Sequence, residues 1–212
     1  MPPDFTYLKA GTIATPKDEE PDYLQPDDLA AGRVLAFDQT LGTPTSGGTG
    51  WVLLDKSVID QQVVIVDCGF IKGKNTGMVK GNAMNLERSL HLYRTVIPLL
   101  IQYAVRPDVM VAYETPPAGG KMARPESSLM AAEAILIAAD SLALQPPKMI
   151  SAQRAKKSIC GNPNADKPYV HKVLREQCFP WIGQSNLITN EAGRDALMVG
   201  LQCLKERKIE RG

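Results

Sequence analysis

No apolar run in the 212 residues approaches the ~18 needed for a helix to cross a bilayer, so no membrane partner is expected. The opening residues, MPPDFTYLKA, lack the basic start and apolar stretch of a secretory signal. Cys68, Cys160, Cys178 and Cys203 form neither a CxxC pair nor a zinc-ligand spacing. They read as reduced thiols in a cytosol, and the cytoplasm is the expected location. Repeats and low-complexity tracts are missing too, which leaves a long single domain, or one domain with an arm.

What the chain does have is an uneven distribution of charge. The net charge is +1, yet residues 1–30 hold seven acids against Lys9 and Lys17 and so carry −5, leaving +6 for the rest. Those thirty residues are proline-rich and aperiodic, and are expected to form an acidic arm ahead of a domain over 31–212. Between 148 and 175 stand Lys148, Arg154, Lys156, Lys157, Lys167, Lys172 and Arg175 against Asp166 alone. A basic stretch of this kind fits a polyanionic partner, and equally a solvated face.

From residue 33 the pattern becomes regular. RVLAFD and TGWVLLD read as a hairpin, QQVVIVDCGFI as a third strand. LERSLHLYRTVIPLLIQYAV has helical spacing, with Pro98 expected to disturb it. RPDVMVAYETPP is a continuous apolar run ending at Glu114, as in a parallel strand covered on both faces. Next come the helix ARPESSLMAAEAILIAADSLAL, a short strand near 148–151 that leads into a basic helix or loop, and the helix YVHKVLREQCF. The last helix begins around Asn190. The order predicts a mixed α/β sheet, three antiparallel strands followed by parallel ones, flanked by helices.

Three acids stand out by position. Asp38 ends the first strand, Glu114 ends the parallel strand, and Asp195 lies on the closing helix with Glu191 four residues earlier on the same face. Taken singly, each is more simply a turn, cap or surface acid, and Asp67 inside the third strand reads as structural. Gathered together, they would repel one another unless cations neutralised them. Hard oxygen ligands select Mg²⁺ or Mn²⁺, and two such ions can hold an attacking water and a leaving oxygen in phosphodiester hydrolysis.

From about Arg33 to Lys205 these segments resemble the RuvC-type Holliday junction resolvases, within the ribonuclease H-like nucleases. VLAFDQTLGTPTSGGTGW is similar to the family's first strand and hairpin, with Asp38 as its acid and Thr49-Gly50 opening the second strand. RPDVMVAYETPP resembles the segment carrying the second acid, and NEAGRDALMVGL the closing Asp-Ala-Leu helix. KKSICGNPNADK is similar to the family's stretch of two spaced lysines, here Lys156 and Lys167, with Gly161 between them.

The resemblance implies a ribonuclease H-like fold with a five-stranded sheet. It makes Asp38, Glu114 and Asp195 catalytic metal ligands, with Glu191 as a fourth in place of the family's acid at the position of Ala192. It implies two Mg²⁺ ions per site, with Mn²⁺ able to substitute. Lys156, Lys157 and Lys167, helped by Arg154, would bind DNA phosphates. The substrate would be branched DNA, a four-way junction, cut to leave a 5′-phosphate and a ligatable nick. The resemblance also implies a homodimer with its interface on the alanine-rich helix from Glu126 to Leu142, whose composition reads equally as an ordinary core helix. The setting would be a bacterial or phage-infected cell. Two departures are visible: Gln39-Thr40 replaces Pro-Gly, and Pro116-Pro117 stand where an aromatic wedge is common. Rival readings are another ribonuclease H-like nuclease, a nuclease-dead junction-binding protein, and an actin-like or sugar-kinase-like ATPase, for which the chain is short and lacks a second phosphate loop.

Overall fold

The computed structural model describes residues 23–42, 47–59, 62–77, 80–115 and 125–211. Its frame is set by the alternation of side chains along the first strand, β1 (Gly32–Asp38). Val34 and Ala36 enter one apolar cluster while Leu35 and Phe37 enter another. All four are fully buried, as in a strand covered on both faces. β2 (Gly48–Lys56) and β3 (Val63–Lys72) follow as an antiparallel meander. β4 (Val109–Glu114) then lies parallel to β1 on its other side, and β5 (Lys148–Ile150) lies parallel to β4.

The sheet has six strands rather than the expected five, in the order β5-β4-β1-β2-β3-β6. The addition is β6 (Ile182–Gly183), which pairs with Val63 and Val64 alone. Two residues are too few to carry a period-2 signal, so the sequence gives no sign of it.

Helices cover both faces. α1 (Gly81–Tyr103) and α2 (Pro125–Ser141) bury one face. α1 starts ahead of the expected segment and runs through Pro98. In α2 the buried face is made of Ala131, Ala132, Ala134, Ala138 and Ala139 around Ile135. The close approach that alanine permits is therefore used within the fold, against α1 and the sheet, while Glu126, Leu129, Glu133, Ile137 and Asp140 are exposed. On the opposite face lie α3 (Ala152–Cys160), α4 (Lys167–Val173) and α5 (Glu191–Arg211).

Most of the expected arm lies outside the described residues. Its last part packs on the domain: Leu24 and Leu29 are buried in the α5-side core. Lys56, 2% exposed at the end of β2, donates through Nζ to the carbonyls of Pro26 and Leu29. A buried ammonium is costly unless its protons are taken up, and these two carbonyls take two of the three.

Candidate active site

Asp38 and Glu114 come together through strand register. β1 and β4 pair in parallel with Ala36 opposite Ala112 and Phe37 opposite Tyr113, so the next rung places Asp38 beside Glu114. Period-2 alternation sends both carboxylates to the face occupied by α5, the side onto which Val34, Ala36 and Ala112 pack. Gln39 closes the ladder one step further. Its side-chain amide donates to the Glu114 carbonyl, and its Oε1 accepts from the Glu114 N–H at 3.1 Å. A side chain thus supplies the missing rung and fixes the end of β4 against the end of β1.

Asp195 arrives on α5. Asn190 caps that helix, accepting the Gly193 N–H at 2.7 Å through its side chain. Two close approaches seat the helix on the sheet. At Gly50, the partner of Asp38 across the hairpin, a Cβ would stand 2.2 Å from the Ala192 carbonyl oxygen. At Gly200 one would meet Leu54 at 2.7 Å. Glycine at both points lets α5 lie directly on β1 and β2 and brings Asp195 to the strand ends.

Asp195 is 2% exposed and both of its oxygens are engaged. Oδ1 faces His171 Nε2 at 2.8 Å, and Oδ2 accepts from Lys167 Nζ at 2.6 Å. Burial pushes its carboxyl up, but the bonds from His171 and Lys167 outweigh this and hold it below the usual range. Lys167 also donates to Glu191 Oε1 at 3.3 Å. The Lys167 ammonium is held above its usual range: burial acts against it, and the Asp195 bond, Asp195 and Asp38 more than compensate. Asp38 is in the opposite condition. Burial, then the charges of Glu114 and Asp195, push it up to about 8. Glu114 is raised as well, by burial and then by Asp195, while Lys167 and Lys156 act the other way.

Asp38, Lys167, Glu191 and Asp195 line one open cleft together with Thr40 and Phe70. Glu191 stands at its rim, with a side chain 61% exposed. Of the four basic residues expected to serve this site, two are brought to it. Lys167 touches the acids, and the charge of Lys156 reaches Glu114 while its Nζ donates to the Ala165 carbonyl at 2.8 Å. Lys157 is exposed on another face of α3, and Arg154 lies 3.8 Å from Glu206, three helical turns along α5 from Asp195. Pro116 and Pro117 lie outside the described residues.

The donor set, carboxylate oxygens in a partly buried cluster, fits a hard divalent cation. A coordination shell is not closed, for among the described residues no three His, Cys, Asp or Glu side chains stand close enough to hold an ion. In its place Lys167 neutralises Asp195. Its side chain is 56% exposed and long, so it can swing off Oδ2 when a cation approaches.

Sequence reasoning missed Gln39, Gly50 as a spacer, and His171. One signal existed for the last. His171 follows Lys167 by four residues, one helical turn, so both reach the same carboxylate.

No known sequence family matches the chain, and no curated protein matches it by sequence. The likeness lies in structure. The Thermus thermophilus RuvC structure solved in complex with Holliday junction substrate superposes with a TM-score of 0.62 at 17% identity, over 84% of this chain and 96% of that one. A second Thermus thermophilus RuvC structure gives 0.61 at 16% identity over the same shares. The chain has the ribonuclease H-like fold of the RuvC-type resolvases.

Proposed function

We propose that this protein is a divalent-cation-dependent endonuclease that cuts four-way DNA junctions, with Asp38, Glu114 and Asp195 as its principal metal ligands and Glu191 joining from the rim. The observation that carries the reading is the meeting of Asp38, Glu114 and Asp195 at one end of a RuvC-like sheet, where burial and then neighbouring acid charge raise Asp38 and Glu114. When bound there, two Mg²⁺ or Mn²⁺ ions would supply an activated water and stabilise the leaving oxygen. The chain's own residues do the rest. Gln39 fixes Glu114 to the end of β1, and α5 presents Asp195. Lys167, once off Asp195, is placed to meet a scissile-strand phosphate, and Lys156 stands beside it. The product would be a ligatable nick bearing a 5′-phosphate. Incubating a synthetic junction with Mg²⁺, and with chelator as the control, tests the activity. Absence of cleavage with retained binding would favour the nuclease-dead reading.

Binding draws on lysines that contact backbone without reading bases, so it should weaken with salt by about 0.9 log units per phosphate neutralised and per decade of salt. Lys156→Gln, at the lysine whose charge reaches Glu114, should lower that slope by roughly one, and Lys157→Gln, on another face of α3, by less. Arg154→Gln, whose guanidinium already faces Glu206, should likewise lower it by less. Filter binding across a salt series measures all three.

Two symmetric cuts require two sites related by a twofold axis, and we infer a homodimer. The outward face of α2 and the start of α1 carry exposed Leu86, Leu90, Leu129 and Ile137, interspersed with exposed Glu126, Glu133 and Asp140, a face open to a second copy. Sedimentation should give a dimer, alone or on junction DNA. A monomer under both conditions removes the two-cut scheme. The cytoplasm of a bacterium or of a phage-infected host fits this substrate and the reduced cysteines.

A further inference from the structure

His171 is one of two histidines in the chain, is 8% exposed, and has no part in the function just proposed. It stands on α4 and aims Nε2 at Asp195 Oδ1, 2.8 Å away. Asp195 Oδ2 accepts from the Lys167 ammonium at 2.6 Å, and a carboxylate paired in this way only accepts hydrogen bonds. Nε2 therefore carries the proton and donates. The two partners of Asp195 differ in kind. The His171 ring is short, planar and packed, with a side chain 10% exposed, whereas the Lys167 side chain is 56% exposed.

We propose that His171 is a positioning residue for the metal centre. By occupying Oδ1 permanently it fixes the plane of the Asp195 carboxylate and leaves Oδ2 as the single oxygen offered to a cation in the cleft. The inference rests on the metal-centre reading above. Without His171 the carboxylate rotates about its terminal torsion, one of the broad, soft ones, and its second oxygen is free to pair with Lys167 instead. Asp195 then reaches a cation less often in the right orientation. The relation is that of an outer-shell partner orienting a ligand, with a histidine serving a carboxylate.

The test is a calorimetric titration of Mn²⁺ into the full-length protein without DNA, alongside junction affinity measured in Ca²⁺. His171→Leu keeps the approximate volume and removes the donor; it should weaken Mn²⁺ binding by roughly 10- to 100-fold. His171→Gln places an amide N–H near the position of Nε2 and should recover most of that loss. His171→Asn, whose amide falls short of Asp195, should not. Junction affinity in Ca²⁺ should stay within about threefold of the parent, because phosphate contacts by Lys156 and Lys167 are separate from Oδ1. If the leucine variant fails to fold, the glutamine and asparagine pair alone decides. Equal Mn²⁺ affinity in the parent and the variants overturns the positioning role, as does a glutamine variant no better than asparagine. A parent protein that binds no Mn²⁺ removes the metal centre itself, a result distinct from those two.

Discussion

Asp38→Asn should abolish the proposed cleavage of a junction while making the protein more stable. The loss should reach on the order of 10³-fold or more in rate, as when one electrostatic stabiliser is removed from a transition state. The gain in stability follows from removing a charge that burial disfavours first and the neighbouring acids second. In the folded chain burial and the charges of Glu114 and Asp195 hold the Asp38 carboxyl at about 8, against 3.8 ordinarily. An acid raised in this way binds its proton more tightly folded than unfolded. Its favourable contribution is complete below the unfolded value and is lost as pH climbs through the folded one. The parent's melting temperature, without divalent ions, should therefore fall between pH 5 and pH 8, and asparagine should flatten that fall. Relief of about 1–3 kcal/mol corresponds to a rise of roughly 3–10 °C at pH 8 for a domain of this size. Mg²⁺ should raise the melting temperature of the parent more than that of the variant, since ligands that bind only the native state stabilise it. A variant that cuts as well as the parent refutes the assignment of Asp38. A variant that melts lower at pH 8 refutes the argument from burial and neighbouring charge.

Gly50→Ala should damage the site without touching any carboxylate. The new Cβ would fall 2.2 Å from the Ala192 carbonyl oxygen and 2.8 Å from the Ala192 Cβ. No flexible side chain can yield there, because one party is the backbone of β2 and the other that of α5. The first turn of α5 has to lift, carrying Glu191 and Asp195 away from Asp38. Overpacking of this sort costs about 1–3 kcal/mol. A misplacement near 1 Å at a reacting centre costs about 100-fold in rate. Cleavage measured at 25 °C, where the variant is still folded, should therefore drop by roughly that factor, with Mn²⁺ affinity weakened in parallel. An unchanged rate would mean that α5 does not depend on Gly50 for its seat.

How these positions relate to the sequence is uneven. The three antiparallel strands, the parallel strand ending at Glu114 and the closing helix are legible because alternation and helical spacing persist over many residues. β6 is not, since two residues have no period. The meeting of Asp38, Glu114 and Asp195 could be anticipated from strand ends and helix order. The spacing of Lys167 and His171 puts both on one face of α4, but that this face meets the two oxygens of Asp195 could not be read, because α4 is seven residues long and its docking depends on packing from distant segments. Gly50 illustrates the same limit. The Thr-Gly pair is visible in the sequence, but its physical purpose emerges only once α5 lies over it. Alanines in α2 were readable as close-packing residues; which neighbour they pack against was not.

The 21-residue α5 spans roughly 30 Å, and its two ends have different company. At one end sit Glu191 and Asp195. Toward the other, the Leu204 carbonyl accepts the Ala30 N–H at 3.0 Å and Lys208 reaches the carbonyl of Asp27. A single rigid rod thus links the point where the chain enters the domain to the floor of the cleft. The contacts that hold residues 27–30 and two of the acids that line the cleft are carried by the same helix.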